Sequence, residues 1–232
     1  ERIDLAIRGD RIVETGSLAN ATARKVLTVE GRWVVPGFID SHSHSDTYLL
    51  IEPAARSKIF QGVTTEIVGQ CGTSAAPLLG KARLPSDWEE KEYPGRWRTT
   101  AEYRALLEQV HPAVNVVMLT GHGKLRAAVM GYEGRPATDE EIGQMGVLLQ
   151  EALSERSRGL SSGLIYAPGR YADSKELERL AETAARRGGV YATHMRSEGG
   201  RLWEALDETL TLARRTGITT VISHLKTSGR SN

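Results

Sequence analysis

Little in this chain commits it to a membrane, a polyanion or a disulfide framework. No stretch approaches the roughly 18 consecutive apolar residues of a membrane span. The 30 Lys and Arg residues nearly balance 29 Asp and Glu, so no global field favours nucleic acid or anionic lipid. No basic patch with interleaved aromatics appears either. The single cysteine excludes an internal disulfide, fits a reducing compartment and leaves the thiol free to act as ligand or nucleophile. There is no internal repeat and no low-complexity tract. The chain opens Glu1-Arg2-Ile3-Asp4 with neither Met nor a signal-like segment, and stops at Asn232 just after a strand-like run. Both ends read as cut, so a longer protein is expected; the location expected is cytoplasmic, although a lost signal peptide would leave no trace.

What is there reads as an ordinary globular chain, 40% apolar and 25% charged, with 232 residues to build a substantial core. Residues 1–35 read as a small β unit with strands at 3–8, 11–15, 23–29 and 32–35, the first two joined by a tight turn at Gly9-Asp10. From residue 36 to 232 strands and helices alternate. Strand candidates are 37–41, 64–68, 114–119, 160–166, 190–193 and 220–223, several apolar throughout, as parallel strands covered on both faces are. Amphipathic helices are predicted at 101–109, 138–154, 174–187 and 200–216, with a capping box at Thr138-Asp-Glu-Glu141. The segment 84–98, rich in Pro, Trp and charge, reads as a loop or insertion. This alternation predicts a parallel α/β fold: most of an eight-stranded barrel, or an open doubly wound sheet.

The chemistry gathers at predicted strand ends. His42 and His44 follow the first of these strands, and residues i and i+2 of a strand share a face, which suits a divalent metal. Asp40 and Asp46 stand close enough to fix the ring tautomers. His122 follows the third strand, His194 and His224 end the fifth and sixth, and Cys71 follows the second in Val68-Gly-Gln-Cys-Gly72. Any one histidine there is more often a hydrogen-bonded structural group, and a lone cysteine is usually core filler. In a parallel barrel, however, all these ends face one rim, and that convergence favours a site for one or two metal ions. A nucleophilic role for Cys71 is the rival; with histidines enough to complete a shell, ligand is the preferred reading, and sulfur with imidazole favours zinc. His111, on a helix-to-strand connection, reads as structural.

Val35-Pro-Gly-Phe-Ile-Asp-Ser-His-Ser-His44 resembles the first-strand signature of the amidohydrolase superfamily. The fuller set is similar to the N-acyl-D-amino-acid deacylase (D-aminoacylase) branch: Gln61-Gly-Val-Thr-Thr, Gly69-Gln-Cys-Gly, Gly159-Leu-Ser-Ser-Gly-Leu-Ile-Tyr166, Ala192-Thr-His-Met-Arg196 and Ile222-Ser-His-Leu-Lys226. The cysteine discriminates, because most relatives bridge their metals with a carboxylated lysine or a glutamate. The resemblance implies a (β/α)8 TIM-like barrel, of which strands 1–6 are present, behind a small N-terminal β-sandwich unit. It implies Cys71, His194 and His224 as ligands of one tight zinc, and His42 and His44 as a second, weaker metal position. Lys226, on the strand face of His224, would bind the substrate's α-carboxylate, Tyr166 would line the substrate pocket, and His122 is a candidate to support the ligands from behind. The family's general-base aspartate belongs after the eighth strand and is expected beyond Asn232. The activity implied is zinc-dependent hydrolysis of N-acyl-D-amino acids. The alternatives are a dipeptidase for D-residues, another amidohydrolase with the same site, or a non-catalytic metal-binding homologue. Cyclic-amide hydrolases fit less well, because Cys71 departs from their bridging lysine. The expected partner is a small N-acyl-D-amino acid or D-dipeptide, with no nucleic acid or membrane.

Overall fold

Gly9 and Asp10 form the turn that joins β1 (Asp4–Arg8) to β2 (Arg11–Gly16) in an antiparallel hairpin, with Arg8 facing Arg11. In this computed structural model, which describes residues 3–229, the chain divides into two compact units, Glu1–Pro36 and Gly37–Asn232. Residues 1–2 and 230–232, the chain ends that read as cut, lie outside the described residues. The strands expected at 23–29 and 32–35 do not form. Their apolar patterning was a fair signal, but a strand exists only against a hydrogen-bonding partner, and none pairs with them among the described residues.

The second unit carries the parallel strands. β3 (Phe38–Asp40), β4 (Val63–Val68) and β5 (Asn115–Met118) form one sheet in that order; β6 (Thr120–Gly121), β7 (Gly159–Gly163), β8 (Val190–His194) and β9 (Thr219–Ile222) form the next. All pairs in both are parallel. Leu119 N–H donates to Val68 O at 3.0 Å and Arg158 N–H to Met118 O at 2.8 Å, carrying the pairing across the break between β5 and β6. A doubly wound sheet reverses its strand order at a switch point. Here every strand neighbours its successor, the order of six successive strands in a (β/α)8 barrel wall.

Helices fill the crossovers. α1 (Tyr48–Ile51), α2 (Arg56–Ile59) and α3 (Ser86–Glu89) are single turns; α4 (Thr100–Val110), α5 (His122–Met130), α6 (Asp139–Ser154), α7 (Ser174–Ala185) and α8 (Leu202–Thr216) are longer. The capping box of α6 forms as expected: Thr138 Oγ1 accepts from Glu141 N–H at 3.2 Å, and Glu141 accepts from Thr138 N–H at 2.8 Å. α7 buries Leu177, Leu180, Ala181 and Ala184, a stripe at helical spacing, against Leu149, Leu160 and Tyr191. A second core joins Leu49, Val68, Trp97, Tyr103 and Met118. Its Trp97 comes from the 84–98 segment and donates to Ala75 O at 2.8 Å, so that segment is packed rather than loose. α5 was not expected: it buries Lys124, Leu125 and Arg126 side by side, which leaves no amphipathic period to read. No helix among the described residues is long and apolar enough to cross a membrane.

Candidate metal centre

Backbone hydrogen bonds and one buried serine bring the strand-end segments together. Ser43 N–H donates to Ile67 O at 3.0 Å and Ser223 N–H to Thr193 O at 2.9 Å, so the turns after β3 and β9 stay zipped to their neighbours. Ser161 of β7 donates to Gly69 O at 2.5 Å and accepts from Gly72 N–H at 3.1 Å, clasping the loop that presents Cys71. Gln70 ties the same loop to Ser41 O at 3.1 Å. That loop must turn sharply. Gly69 holds a φ of +77°, and a Cβ there would lie 2.1 Å from Leu119 O, so only glycine fits.

These constraints gather three imidazoles around one sulfur. Cys71 Sγ lies 3.5 Å from His42 Nε2, 3.5 Å from His224 Nε2 and 3.7 Å from His194 Nδ1. Tetrahedral zinc, with bonds of about 2.3 Å to sulfur and 2.0–2.1 Å to nitrogen, sets S and N about 3.5–3.6 Å apart, so these residues fit that ion. Two sets of ligand atoms lie within 4.8 Å of one another: His42, Cys71 and His224, and His194, Glu198 and His224. Cys71 and His224 also hold left-handed backbone, with φ of 54° and 36°, a conformation that side chains with a Cβ adopt only when their surroundings force it.

The electrostatics suit cation capture. Burial, reinforced by the neighbouring His44 and His224, pushes His42 down to about 4. Burial also lowers His194 against the pull of Glu198. Both rings are therefore neutral at pH 7, with lone pairs available. Burial, aided by Glu198, pushes the Cys71 thiol up to about 11, so it stays protonated until a cation displaces the proton.

The other expected residues fall into place unevenly. His44 stacks edge-on against His42, ring centres 5.2 Å apart, on the exposed side. Tyr166 is half-exposed, its ring 5.0 Å from that of His194. Lys226 Nζ lies 3.2 Å from His224 Nδ1. The reason expected for these placements needs correcting, however. β3 ends at Asp40 and β9 at Ile222, so neither the His42–His44 pair nor the His224–Lys226 pair stands on a strand; turns, not strand alternation, bring each pair together. Asp40 and Asp46 do not hold imidazoles. Asp40 accepts from Lys58 Nζ at 2.5 Å and from the His42 backbone N–H at 3.1 Å. Asp46 accepts from Ala75 N–H at 3.2 Å, and burial pushes its carboxyl up to about 7. His122 is fully buried, and its partner is Glu176 at 2.7 Å rather than the sulfur or an imidazole.

Two acidic residues of the site escaped the sequence reading. Glu66, buried in the middle of β4, accepts from Ser43 at 2.7 Å and from Ser45 beneath the His42–His44 turn; an acidic residue inside Val63-Thr-Thr-Glu-Ile-Val was the available signal. Glu198 lies 2.8 Å from His224 Nδ1 and 2.6 Å from Lys226 Nζ. Burial opposes its ionisation, but the hydrogen bond from Lys226 and the adjacent histidines hold its carboxyl below the usual range.

A family model described as the amidohydrolase family matches residues 25–224, a span that contains the whole sulfur–imidazole cluster. The chain belongs to the amidohydrolase family. This amidohydrolase is 42% identical to a D-aminoacylase of Alcaligenes xylosoxydans xylosoxydans over 100% of its own length and 48% of the relative's. It is 40% identical to an N-acyl-D-aspartate deacylase of the same organism, covering 99% of the chain and 46% of that protein. Among solved structures, a D-aminoacylase superposes with a TM-score of 0.93 at 40% identity, over 100% of this chain and 49% of that one. An N-acyl-D-glutamate deacylase from Bordetella bronchiseptica, complexed with zinc and a phosphonate mimic of the tetrahedral intermediate, superposes at 0.90 and 38% identity, over 100% and 49%. The chain thus spans about half the length of the relatives it matches.

Proposed function

We propose that the complete protein hydrolyses the amide bond of N-acyl-D-amino acids, releasing a carboxylate and the free D-amino acid. The observation that carries this reading is one sulfur with three imidazole nitrogens at 3.5, 3.5 and 3.7 Å, beside a lysine ammonium. Cys71, His194 and His224 are read as holding a tight zinc ion, and His42 and His44 as contributing a second, weaker position. Bound there, zinc would supply Lewis acidity toward the acyl carbonyl and toward an attacking water. Lys226 offers its ammonium to the α-carboxylate, fixing which hand of amino acid presents its amide. Tyr166, its ring 5.0 Å from that of His194, is read as lining the substrate pocket, with its hydroxyl offered to the acyl oxygen. The proton-transferring aspartate is expected after an eighth barrel strand, outside the six βα units read in residues 36–232. Residues 1–35 are read as the opening of a small β domain and 36–232 as the first six βα units of the barrel. A cytoplasmic location keeps the unpaired thiol reduced.

The named relatives differ in the amino acid their names specify, and identities of 42%, 40% and 38% do not choose among them. The test is a panel offered to the zinc-loaded full-length protein: N-acyl-D-amino acids with neutral and acidic side chains, their L enantiomers, D-dipeptides and hydantoins. Hydrolysis of the N-acyl-D compounds with the L forms spared is expected. Preferential cleavage of D-dipeptides would shift the assignment to a dipeptidase. Zinc binding without turnover of any compound would favour a non-catalytic homologue.

A further inference from the structure

Glu198 stands where three groups of the site converge, and the proposed hydrolysis gives it no role. Two of the three imidazoles beside Cys71 turn opposite edges to the sulfur and to this carboxylate. His224 directs Nε2 to the sulfur, 3.5 Å away, and Nδ1 to Glu198 Oε1, 2.8 Å away. His194 directs Nδ1 to the sulfur at 3.7 Å, while its buried Nε2 has no hydrogen-bond partner among the described residues and lies 3.8 Å from the same Oε1. That oxygen also accepts from Lys226 Nζ at 2.6 Å. The Glu198 side chain is only 12% exposed, so water competes little for these contacts.

We infer that Glu198 is a positioning residue that orients the metal-binding nitrogen of His224 and, through the same carboxylate oxygen, holds Lys226 beside it. An imidazole presents one nitrogen to a cation only while the other keeps the proton, and a carboxylate at the far nitrogen fixes that tautomer and raises the basicity of the near one. Asp40 and Asp46 were the sequence's candidates for this role; the fold gives it to Glu198. The shared oxygen links the two halves of the site, because the carboxylate that faces His224 Nδ1 also accepts from Lys226. This inference rests on reading the cluster as a zinc centre.

The test is zinc affinity of the full-length protein, measured by competition with a chromophoric chelator, for wild type, Glu198→Gln and Lys226→Ala. Glu198→Gln keeps the shape and removes the charge, and a 10–100-fold weaker zinc affinity is expected, the usual effect of losing such a partner. Stoichiometry should stay unchanged, as should the cobalt–thiolate absorption of the Co2+-substituted protein, which reports Cys71. Lys226→Ala should stay within about threefold of wild type, since it leaves the carboxylate in place. Should Glu198→Gln fail to fold, Glu198→Asp, one methylene shorter, takes its place with the same expected direction. A folded variant that binds zinc as tightly as wild type overturns the inference. So does the loss of one whole equivalent with the rest unchanged, which would make Glu198 a ligand. A wild-type protein that binds no zinc overturns the zinc reading itself, an outcome separate from both.

Discussion

Replacing Glu176 with alanine should cost this fold more than any surface change. The carboxylate sits between two side chains, and all three are fully buried: Oε1 accepts from His122 Nε2 at 2.7 Å, and Oε2 pairs with Arg126 Nη1. Among the described residues Arg126 has one other partner, Arg135 O at 2.8 Å from Nη2, and its Nε has none. Removing the carboxylate strands a guanidinium in the interior, a loss of about 3–5 kcal/mol when one member of a buried pair is deleted. Against a total stability of about 5–15 kcal/mol, that is a large share. In urea, with a slope near 3 kcal/mol/M, the unfolding midpoint should fall by about 1–1.7 M, followed by far-UV circular dichroism. The double variant Arg126→Met, Glu176→Leu should lose less than the single one, because no charge is left unpaired. There is also a pH signature. Burial opposes ionisation of Glu176, but the hydrogen bonds and charges of His122 and Arg126 prevail and lower its pKa. Its contribution is therefore complete above the unfolded glutamate pKa of about 4.3 and is lost as pH falls through the lower folded value. The gap between wild type and variant should narrow in acid. A Glu176→Ala midpoint within about 0.3 M of wild type at neutral pH would refute the account of this cluster.

Other outcomes follow from the same geometry. Cys71→Ala should abolish tight zinc binding, counted by metal analysis after dialysis; a full retained equivalent would remove Cys71 from the ligand set. Zinc uptake at about pH 7.5 should release at least one proton, because the metal-free thiol titrates near 11 and binds zinc as thiolate. Calorimetry in buffers of differing ionisation enthalpy counts that proton, and a release of none would contradict a thiolate ligand. Gly163→Ala would place a Cβ 2.1 Å from Cys71 O and 2.8 Å from the Tyr166 ring. Melting should show a loss of about 1–3 kcal/mol, the cost of forcing atoms into a packed site. An unchanged Tm would mean that the Cys71 loop gives way freely.

The alternation of strands and helices, and the histidines and cysteine near strand ends, were legible in the residues, because both are local facts. The choice of barrel over open sheet was not, since strand order is set by pairing between distant segments. Continuous apolar runs and capped amphipathic helices are written within ten or twenty residues, and Thr138 with Glu141 closes its cap as its spacing predicts. A histidine or cysteine at a strand end is likewise visible one segment at a time. α5 was not legible, because its buried Lys124 and Arg126 become acceptable only through partners such as Glu176, 50 residues on from Arg126. The strands expected at 23–29 and 32–35 failed for the converse reason: apolar patterning is local, but a ladder partner is not. Tertiary structure alone decided which carboxylate serves which base. Proximity along the chain favoured Asp40 and Asp46 for the imidazoles, yet Lys58 captures Asp40 and burial isolates Asp46. Glu198, 26 residues before His224, takes the place beside it. Sequence determines which chemical groups a chain carries and which face of each element they occupy; the hydrogen bonds those groups finally make depend on distances across the barrel rim, which exist only once the strands have closed beside one another.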